Sequence, residues 1–425
     1  MIETPKSLRL KIGIYGRTNA GKSSLINLIT NQKVSIVSDI KGTTTDSVQK
    51  AMELFPIGPI TIVDTPGLED TSALKDERLK TTTNNLKISD VAILVISDGL
   101  WKDEENFVYD ICKEQNIPLL VILNKSDLQL NAQNALNAIS QKQLPFLNIS
   151  VKSLSQDNIQ KEKFLNDFTK ELLKLIPEDF VTPQTILGDL LPKKNSPLVI
   201  LITPIDLQAP KGRLILPQVQ TIRDALDNEA IVTIVKENNY VPLLQKLNSK
   251  PDLVVCDSQC VKFVTENTPE EIPCTTFSIL FSRLKGEMKT FAKGAAMLKK
   301  LSADSKVLIA EACTHHPTNE DIGRVKIPNM IHQKINSQIK IDYCAGKDFP
   351  ENLSDYDLII HCGGCMLTRR EQLLRISEAQ KHNVPITNYG MAISVMQNSI
   401  TKVLSPFPKI LNIFTDEANG KSSDE

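Results

Sequence analysis

The stretch Gly16-Arg-Thr-Asn-Ala-Gly-Lys-Ser23 decides the fold of the first part of the chain. It fits the phosphate-loop pattern G-x-x-x-x-G-K-S/T. It stands between residues 8–15, which alternate like a strand, and residues 24–29, which are typical of a helix. In such a loop the glycines let backbone N–H groups close around phosphates, Lys22 reaches the β- and γ-phosphates, and Ser23 binds Mg²⁺. The stretch therefore predicts a nucleotide-binding α/β domain.

Further motifs of a GTPase follow in order. The run Ile60-Thr-Ile-Val63 predicts a buried strand that leads into Asp64-Thr-Pro-Gly67, whose carboxylate can hold Mg²⁺ through water. In Asn124-Lys-Ser-Asp127, the last carboxylate can accept two hydrogen bonds from guanine N1–H and N2–H₂, a donor pair that adenine lacks. Ser150-Val-Lys152 stands where such domains carry a last base-contacting loop. These motifs predict GTP as the nucleotide.

The composition of the chain argues against several classes of function. The chain has 425 residues, 41% hydrophobic and 23% charged, with a formal net charge of -1. Such a charge gives no overall attraction to nucleic acid or to an anionic membrane, and no apolar run approaches the roughly 18 residues of a membrane span. The first residues show no secretory pattern. Eight cysteines then predict reduced thiols and metal ligands in a cytoplasmic protein, with neither nucleic acid nor membrane as a partner.

A second set of motifs predicts a metal centre. The apolar runs 306–310 and 358–360 lead into Cys313-Thr-His315 and His361-Cys-Gly-Gly-Cys365. In a parallel sheet both segments would lie beyond the carboxyl ends of strands, where ligands gather, and the two glycines would allow a tight loop. Three thiols at one point indicate a soft metal or an iron–sulfur cluster.

The identity of this metal is left open by the residues alone. A cluster held by Cys313, Cys362 and Cys365 would leave one iron for His315, His361 or the carboxylate of Glu320. A zinc site with three cysteines and one histidine is the alternative.

The middle of the chain predicts a small α/β unit that self-associates. Residues 177–197 are rich in proline and lysine and are typical of a linker. The short β-rich runs that follow would form a sheet whose edges must be covered or paired. The predicted domains are therefore 1–176, 177–274 and 275–414, with a disordered tail at 415–425. Three cysteines of the middle region and one of the last domain are interpreted as structural thiols: Cys256, Cys260, Cys274 and Cys344.

The first domain resembles the TrmE–Era group of GTPases. Gly42-Thr-Thr-Thr-Asp46 is similar to that group's first switch, which makes Thr44 a ligand of Mg²⁺ or of the γ-phosphate. Leu68 stands where Ras-like enzymes have a water-orienting glutamine, so the resemblance implies slow hydrolysis. Asn19 matches an asparagine that helps to hold K⁺ near the phosphates in similar GTPases, and K⁺ activation is the resulting hypothesis.

Together the motifs and this resemblance give the predicted nucleotide site. The predicted catalytic residues are Lys22, Ser23, Thr44, Asp64 and Gly67. The predicted cofactor-binding residues are Gly16, Asn19, Ala20, Gly21, Lys22, Ser23, Ser24, Asn124, Lys125, Asp127, Ser150 and Val151.

Nearly the whole chain resembles the HydF family, the GTPase maturases of [FeFe]-hydrogenase. The resemblance rests on the C-x-H and H-C-x-x-C segments and on the domain order. It implies an α/β protein with a P-loop GTPase domain, a small α/β dimerisation domain and a doubly wound parallel-sheet domain that binds a [4Fe–4S] cluster. It also implies a homodimeric scaffold that receives a di-iron precursor and delivers it to apo [FeFe]-hydrogenase. On the same resemblance, radical-SAM maturases would supply the ligands, and GTP hydrolysis would act as a switch on partner binding.

Two other functions are compatible with the same motifs. One is a GTPase that acts on tRNA or the ribosome, although the chain lacks a basic, aromatic-interleaved C-terminal module. The other is a redox sensor in which the oxidation state of the cluster sets GTP turnover.

Overall fold

The computed structural model describes residues 4–30, 38–40, 48–68, 75–128, 131–177, 180, 185–204, 214–312, 321–346, 349–350 and 352–421. The chain divides into two compact units, Met1–Pro183 and Gln184–Glu425. The three-domain division with boundaries at 176 and 274 stays a prediction.

The first unit is built on a seven-stranded sheet. Its strands are β1 (Leu10–Tyr15), β2 (Ser38–Ile40), β3 (Val48–Leu54), β4 (Gly58–Asp64), β5 (Val91–Ile96), β6 (Leu119–Leu123) and β7 (Phe146–Asn148). The order is β2-β3-β4-β1-β5-β6-β7, and all neighbours are parallel except the antiparallel pairs β2–β3 and β3–β4. Strands β1, β5 and β6 are buried along their whole length, as expected for parallel strands with helices on both faces.

Helices follow the strands of this sheet. They are α1 (Lys22–Thr30), α2 (Lys75–Lys87), α3 (Asp103–Glu114), α4 (Gln133–Gln141), α5 (Val151–Leu154) and α6 (Asn158–Leu175). The Asp157 carboxylate caps α6 by accepting the backbone N–H groups of Ile159 and Gln160 at 2.9 and 3.1 Å. The helix predicted at 24–29 lies within α1.

The second unit contains two parallel sheets of four strands each. The first has β8 (Leu198–Ile202), β9 (Ile231–Val235), β10 (Leu253–Cys256) and β11 (Cys274–Thr276), in the order β11-β10-β8-β9. The second has β12 (Lys306–Glu311), β13 (Lys340–Ala345), β14 (Leu358–His361) and β15 (Ile386–Asn388), in the order β13-β12-β14-β15. The predicted α/β fold class is confirmed.

Ten helices of the described chain surround these two sheets, and buried side chains from both sheets belong to one hydrophobic core. The helices are α7 (Leu216–Asp227), α8 (Tyr240–Lys246), α9 (Val261–Asn267), α10 (Phe277–Lys285), α11 (Met288–Met297), α12 (Ile327–Lys334), α13 (Arg369–Lys381), α14 (Tyr389–Met396), α15 (Ile400–Val403) and α16 (Pro408–Ala418). A π-helical turn, Ile322–Lys326, precedes α12.

The predicted disordered tail is wrong for residues 415–418, because α16 continues to Ala418. Phe414 is buried in the core just before that point, and Lys300 forms an ion pair with Glu417 at 2.9 Å. The polar composition of this segment gave no indication of the buried Phe414 one residue upstream or of the charged partner Lys300, which follows α11 more than 100 positions earlier.

Part of the predicted linker is also packed. The Leu187 side chain is buried in the core of the second unit. The backbone N–H groups of Leu187 and Gly188 donate to Asp224 Oδ2 at 2.8 and 3.0 Å. This carboxylate on α7 fixes a segment that composition alone assigns to a linker.

No helix in the described ranges is long and apolar enough to cross a membrane.

Candidate nucleotide and metal sites

The phosphate loop connects β1 to α1 and is closely packed at both of its glycines. Gly16 has φ +147°, and a Cβ added there would lie 2.4 Å from the Val95 carbonyl oxygen. Gly21 has φ +97°, and its added Cβ would lie 2.3 Å from Asn124 Nδ2. Only glycine satisfies both the backbone conformation and the space at these two positions.

Lys22, Ser23 and Asp64 meet at the mouth of this loop. Lys22 Nζ donates to the carbonyl oxygens of Gly16 and Arg17 at 2.9 and 3.0 Å, and Ser23 Oγ donates to Asp64 Oδ2 at 2.8 Å. A hydroxyl and a carboxylate are the oxygen ligands that Mg²⁺ prefers, so the donor set fits the predicted ion. Thr44, the other predicted Mg²⁺ ligand, lies outside the described residues.

The segment after β4 passes close to the phosphate loop. A Cβ on Gly67 would lie 2.4 Å from Thr18 Oγ1, and the backbone N–H of Leu68 donates to the Gly16 carbonyl oxygen at 3.4 Å. Gly67 and Leu68 are therefore positioned beside the loop, as the sequence motif requires. Asn19 is exposed with φ +60°, and Ser24 is exposed in the first turn of α1.

Asn124 links three predicted nucleotide-binding segments. Its Nδ2 donates to the Ala20 carbonyl oxygen at 2.9 Å, and its Oδ1 accepts the Val151 backbone N–H at 3.1 Å. Lys125 follows with φ +63°. The Asp127 side chain is exposed, and a hydrogen bond involving Ser150 is the main cause that lowers its pKa. Asp127 therefore stays ionised and able to accept the guanine donors.

Arg17 is a buried residue that the phosphate-loop pattern treats as variable. Its Nε donates to Glu105 Oε1 at 2.9 Å, and its Nη1 and Nη2 donate to the two Asp98 carboxylate oxygens at 2.6 Å each. Nη2 also donates to the Leu100 carbonyl oxygen at 2.8 Å. Arg17 thus ties the phosphate loop to the segment between β5 and α3. No pattern in the sequence indicates this contact.

The predicted metal centre lies at the carboxyl edge of the second sheet of the second unit. Ala310 of β12 is in register with His361 of β14. The Cys362 backbone N–H donates to the Ala310 carbonyl oxygen at 2.9 Å, and the Ala312 N–H donates to Cys362 Sγ at 3.1 Å. The end of β12 is therefore directly beside Cys362.

The remaining predicted ligands fall in the segment that follows β12. Cys313, His315 and Glu320 lie outside the described residues, so their convergence with Cys362 and Cys365 stays a prediction. Within the described ranges, no three His, Cys, Asp or Glu side chains form a group able to hold a metal ion. The donor chemistry nevertheless fits an iron–sulfur group, because two thiols share one loop and a backbone N–H already points at one sulfur.

A buried lysine holds the loop that carries these two thiols. Lys285, at the end of α10, is 3% exposed, and its Nζ donates to the carbonyl oxygens of Gly364, Cys365 and Leu367 at 3.4, 3.2 and 2.9 Å. Burial lowers the pKa of Lys285 to about 8, against the opposing effect of Cys365. The residue is 79 positions before Gly364, and its sequence context indicates only a helix end.

Of the two glycines in the loop that carries Cys362 and Cys365, only one occupies a position that requires glycine. Gly364 has φ +60°, and its added Cβ would lie 2.0 Å from Gln372 Oε1, whereas an added Cβ on Gly363 meets nothing within 4 Å. The predicted helix start is confirmed, because Thr368 Oγ1 accepts the Glu371 N–H and Glu371 Oε2 accepts the Thr368 N–H.

Both ring nitrogens of His361 contact neighbouring polar groups. Its Nδ1 lies 2.6 Å from the Cys362 carbonyl oxygen, and its Nε2 lies 3.0 Å from Arg375 Nη1. Burial, and then the charge of Arg375, lowers the pKa of His361 to about 3, so the ring is neutral. Metal ligation by His361 would require one of these contacts to break. Its role as a candidate ligand stays a prediction.

Four further described cysteines belong to the second unit; Cys256, Cys260 and Cys274 lie in or next to its first sheet, whereas Cys344 lies on β13, in register with Ala310 of β12. Cys256 and Cys274 are buried, and Cys260 and Cys344 are partly buried. Hydrogen bonds with Cys260 and Cys274 raise the pKa of Cys256, and burial raises the pKa of Cys344. The raised pKa values of Cys256 and Cys344 agree with the structural interpretation of these two thiols.

Three family models match the chain. One described as the hydrogen maturase F tetramerization domain matches residues 289–406, and one described as the hydrogen maturase F dimerization domain matches residues 186–286. Together these two cover just over half of the chain. A model of a 50S ribosome-binding GTPase matches residues 11–125. The first unit therefore contains a GTPase domain, and the second unit matches domains that mediate oligomerization.

Curated relatives match the GTPase part of the chain. GTPase Era of Xylella fastidiosa is 33% identical over 175 residues, 40% of this chain and 56% of that protein. GTPase Era of Xanthomonas campestris pv. campestris is 31% identical over 185 residues, 42% of this chain and 59% of that protein. The chain thus spans less than two thirds of the length of these relatives.

Solved structures of GTPases are similar to the chain at lower identity. The G domain of the T. maritima FeoB iron transporter is 19% identical and covers 36% of this chain and 99% of that chain, with a TM-score of 0.26. An Aquifex aeolicus Era variant bound to GDP and AlF4⁻ is 21% identical and covers 53% of this chain and 92% of that chain, with a TM-score of 0.31.

Proposed function

Because this chain belongs to the hydrogen maturase F family, we propose that it is a GTP-binding scaffold that carries a [4Fe–4S] cluster and delivers a di-iron precursor to apo [FeFe]-hydrogenase. The proposal is based mainly on one observation: β12 and β14 end next to each other at the carboxyl edge of their sheet. There Cys362 and Cys365 share a loop that Lys285 holds, and the chain enters its Cys313 segment directly from β12.

The chain's own residues would prepare this edge for a cluster. Lys285 fixes the carbonyl oxygens of the loop and places a positive charge near the two thiols, which would help to offset the negative charge of a bound cluster. The Ala312 N–H donates to Cys362 Sγ and stabilises negative charge on that sulfur. The cluster, when bound by three cysteines, supplies one iron with an exchangeable coordination position. His315, His361 and Glu320 are the proposed occupants of that position.

Anaerobic iron reconstitution followed by EPR tests the cluster. We expect the parent protein to bind about four irons, and Ser variants of Cys313, Cys362 and Cys365 to lose the EPR signal of the reduced cluster. Cys344→Ser is the matched control, since this partly buried thiol lies on β13 of the same sheet. Retention of the parent signal in all three variants would refute the ligand assignment.

The GTPase domain would act as a switch on partner binding. Lys22, Ser23, Asp64 and Thr44 would hold the phosphates and Mg²⁺, and Asp127 would select guanine. With Leu68 in place of a glutamine, hydrolysis would be slow. Lys22→Ala is expected to abolish maturation of [FeFe]-hydrogenase in cells that supply the radical-SAM partners. Normal maturation by this variant would exclude the switch.

K⁺ activation is a separate part of the proposal. Asn19 is exposed in the phosphate loop, where it could contribute a ligand to an ion beside the phosphates. GTP turnover is expected to be faster in KCl than in NaCl at equal ionic strength, and Asn19→Ala should remove the difference. Equal rates in the two salts would eliminate K⁺ activation.

A ribosome-associated GTPase is the second candidate function. The GTPase match carries the description of a ribosome-binding family, and the curated relatives are Era proteins. A salt-sensitive electrophoretic shift of ribosomal RNA by the full chain would favour this candidate.

A further inference from the structure

Tyr389 lies beside the proposed metal edge. It is the first residue of α14 and directly follows Asn388, which is in register with His361. Tyr389 and Cys362 are therefore the first residues beyond two paired strands, and both lie at the carboxyl edge of the sheet.

The hydroxyl group of Tyr389 is buried without a hydrogen-bond partner anywhere in the described part of the chain. A hydroxyl removed from water normally finds an acceptor, because an unpaired buried polar group lowers stability. Folded proteins retain few such groups, and ligand sites are one place where they are found. The Tyr389 hydroxyl therefore indicates that a group other than the described residues accepts a hydrogen bond from it.

The Tyr389 hydroxyl is closely packed against Gly323, near Glu311. An alanine Cβ at Gly323 would lie 2.1 Å from Tyr389 Oη and 2.8 Å from Glu311 Oε1, so the hydroxyl lies close to the end of β12. The other carboxylate oxygen of Glu311 accepts from Arg324 Nε at 2.8 Å. A tyrosine hydroxyl is protonated at neutral pH, so this group acts as a hydrogen-bond donor.

We propose that the Tyr389 hydroxyl donates a hydrogen bond to a sulfur atom of the iron–sulfur group that Cys362 and Cys365 hold. The acceptor is a sulfide or a thiolate, both of which carry negative charge. A hydrogen bond to sulfur stabilises the more negative, reduced state, so Tyr389 raises the reduction potential of the group. Tyr389 is thus a positioning and tuning residue, and this inference rests on the proposed cluster-binding function.

Tyr389→Phe tests the inference in the full chain, because it removes the hydroxyl and keeps the ring. Four properties are measured. In the metal-free protein the melting temperature should not fall, since the hydroxyl has no partner to lose among the residues that the structure describes. After anaerobic reconstitution the iron and sulfide content should equal that of the parent, and the reduction potential from an EPR-monitored titration should become more negative. In D₂O, the electron–nuclear double resonance signal of an exchangeable deuteron near the cluster should weaken.

Tyr356→Phe is the matched control. Its hydroxyl donates to Asp342 Oδ2 at 3.1 Å, and Tyr356 precedes β14 at the amino edge of the same sheet. This substitution should lower the melting temperature of the metal-free protein and leave the reduction potential unchanged.

The outcomes separate this inference from the proposed function. If the parent protein reconstitutes a cluster and Tyr389→Phe has the parent potential and deuteron signal, the hydrogen bond is refuted and the scaffold stands. A fall in melting temperature for metal-free Tyr389→Phe would also overturn the inference, because the hydroxyl would then have an acceptor within the protein. If the parent binds no cluster, the proposed function fails, and the inference fails with it.

Discussion

Arg17 shows how a residue at a variable position of a motif can determine the stability of the surrounding structure. Its guanidinium pairs with Glu105, whose side chain is fully buried, and with Asp98. We predict that Arg17→Met lowers the free energy of unfolding of the first unit by about 3–5 kcal/mol, because the Glu105 carboxylate would stay buried without its charge partner. Urea unfolding followed by fluorescence of Trp101, the single tryptophan, reports on this unit.

The control for this prediction is Lys174→Met in the same unit. Lys174 forms an ion pair with Glu171 at 2.6 Å, but its side chain is 67% exposed. Removing such a pair should cost less than about 1 kcal/mol. Equal losses in the two variants would contradict the importance assigned to the buried pair.

The contact between Arg17 and Asp98 also predicts that the stability of the first unit depends on pH. Although burial alone would raise the pKa of Asp98, the hydrogen bonds from Arg17 hold that pKa below its usual value. The resulting stability is complete above the unfolded pKa of about 3.9 and is lost as pH falls through the lower folded pKa. The difference in unfolding free energy between the parent and Asp98→Asn should therefore be constant near neutral pH and shrink below about pH 4. If the difference in unfolding free energy instead grows as the pH falls, the predicted direction of this pH dependence is wrong.

At the scale of elements, the loop between β14 and α13 depends on one glycine. Gly364→Ala should destabilise the second unit by about 1–2 kcal/mol from its left-handed backbone alone, and the contact with Gln372 Oε1 adds to this loss. Gly363→Ala, which meets open space, should stay within about 0.5 kcal/mol of the parent. Urea unfolding followed by circular dichroism measures both. If the two variants are equally stable, the loop does not require the conformation described for Gly364.

At the scale of the whole molecule, oligomerization requires an exposed surface that a second copy can cover. Strand β9 is an edge of its sheet, and its Ile231 and Ile234 are 54% and 43% exposed. The dimerization model spans this strand. Exposed apolar edge strands are sites of pairing between chains. Ile234→Lys should therefore raise the dissociation constant of the oligomer at least about tenfold, equivalent to ~1.4 kcal/mol.

Sedimentation equilibrium over a range of protein concentrations measures this change. Phe263→Lys is the control, because Phe263 is 39% exposed on α9 and does not belong to the β9 edge. An effect of Phe263→Lys alone would place the interface elsewhere.

Features that depend on residues close together in the chain could be predicted from the sequence alone. The phosphate loop is one continuous motif, and its glycines have the conformations that the motif requires. The parallel strand–helix alternation also followed from local patterns, and it placed Cys362 and Cys365 at a carboxyl edge of a sheet, where the structure has them.

The distant side chains that support these motifs are identified by the three-dimensional packing and not by any local pattern. Arg17 meets Glu105 across 88 positions, Lys285 meets Cys365 across 80, and Tyr389 lies beside Glu311 and Gly323. From its neighbours in the sequence alone, each of these residues is predicted to be an ordinary loop or helix residue. Their roles arise from burial and from the strand order of the sheets, which bring groups together that no short pattern in the sequence connects.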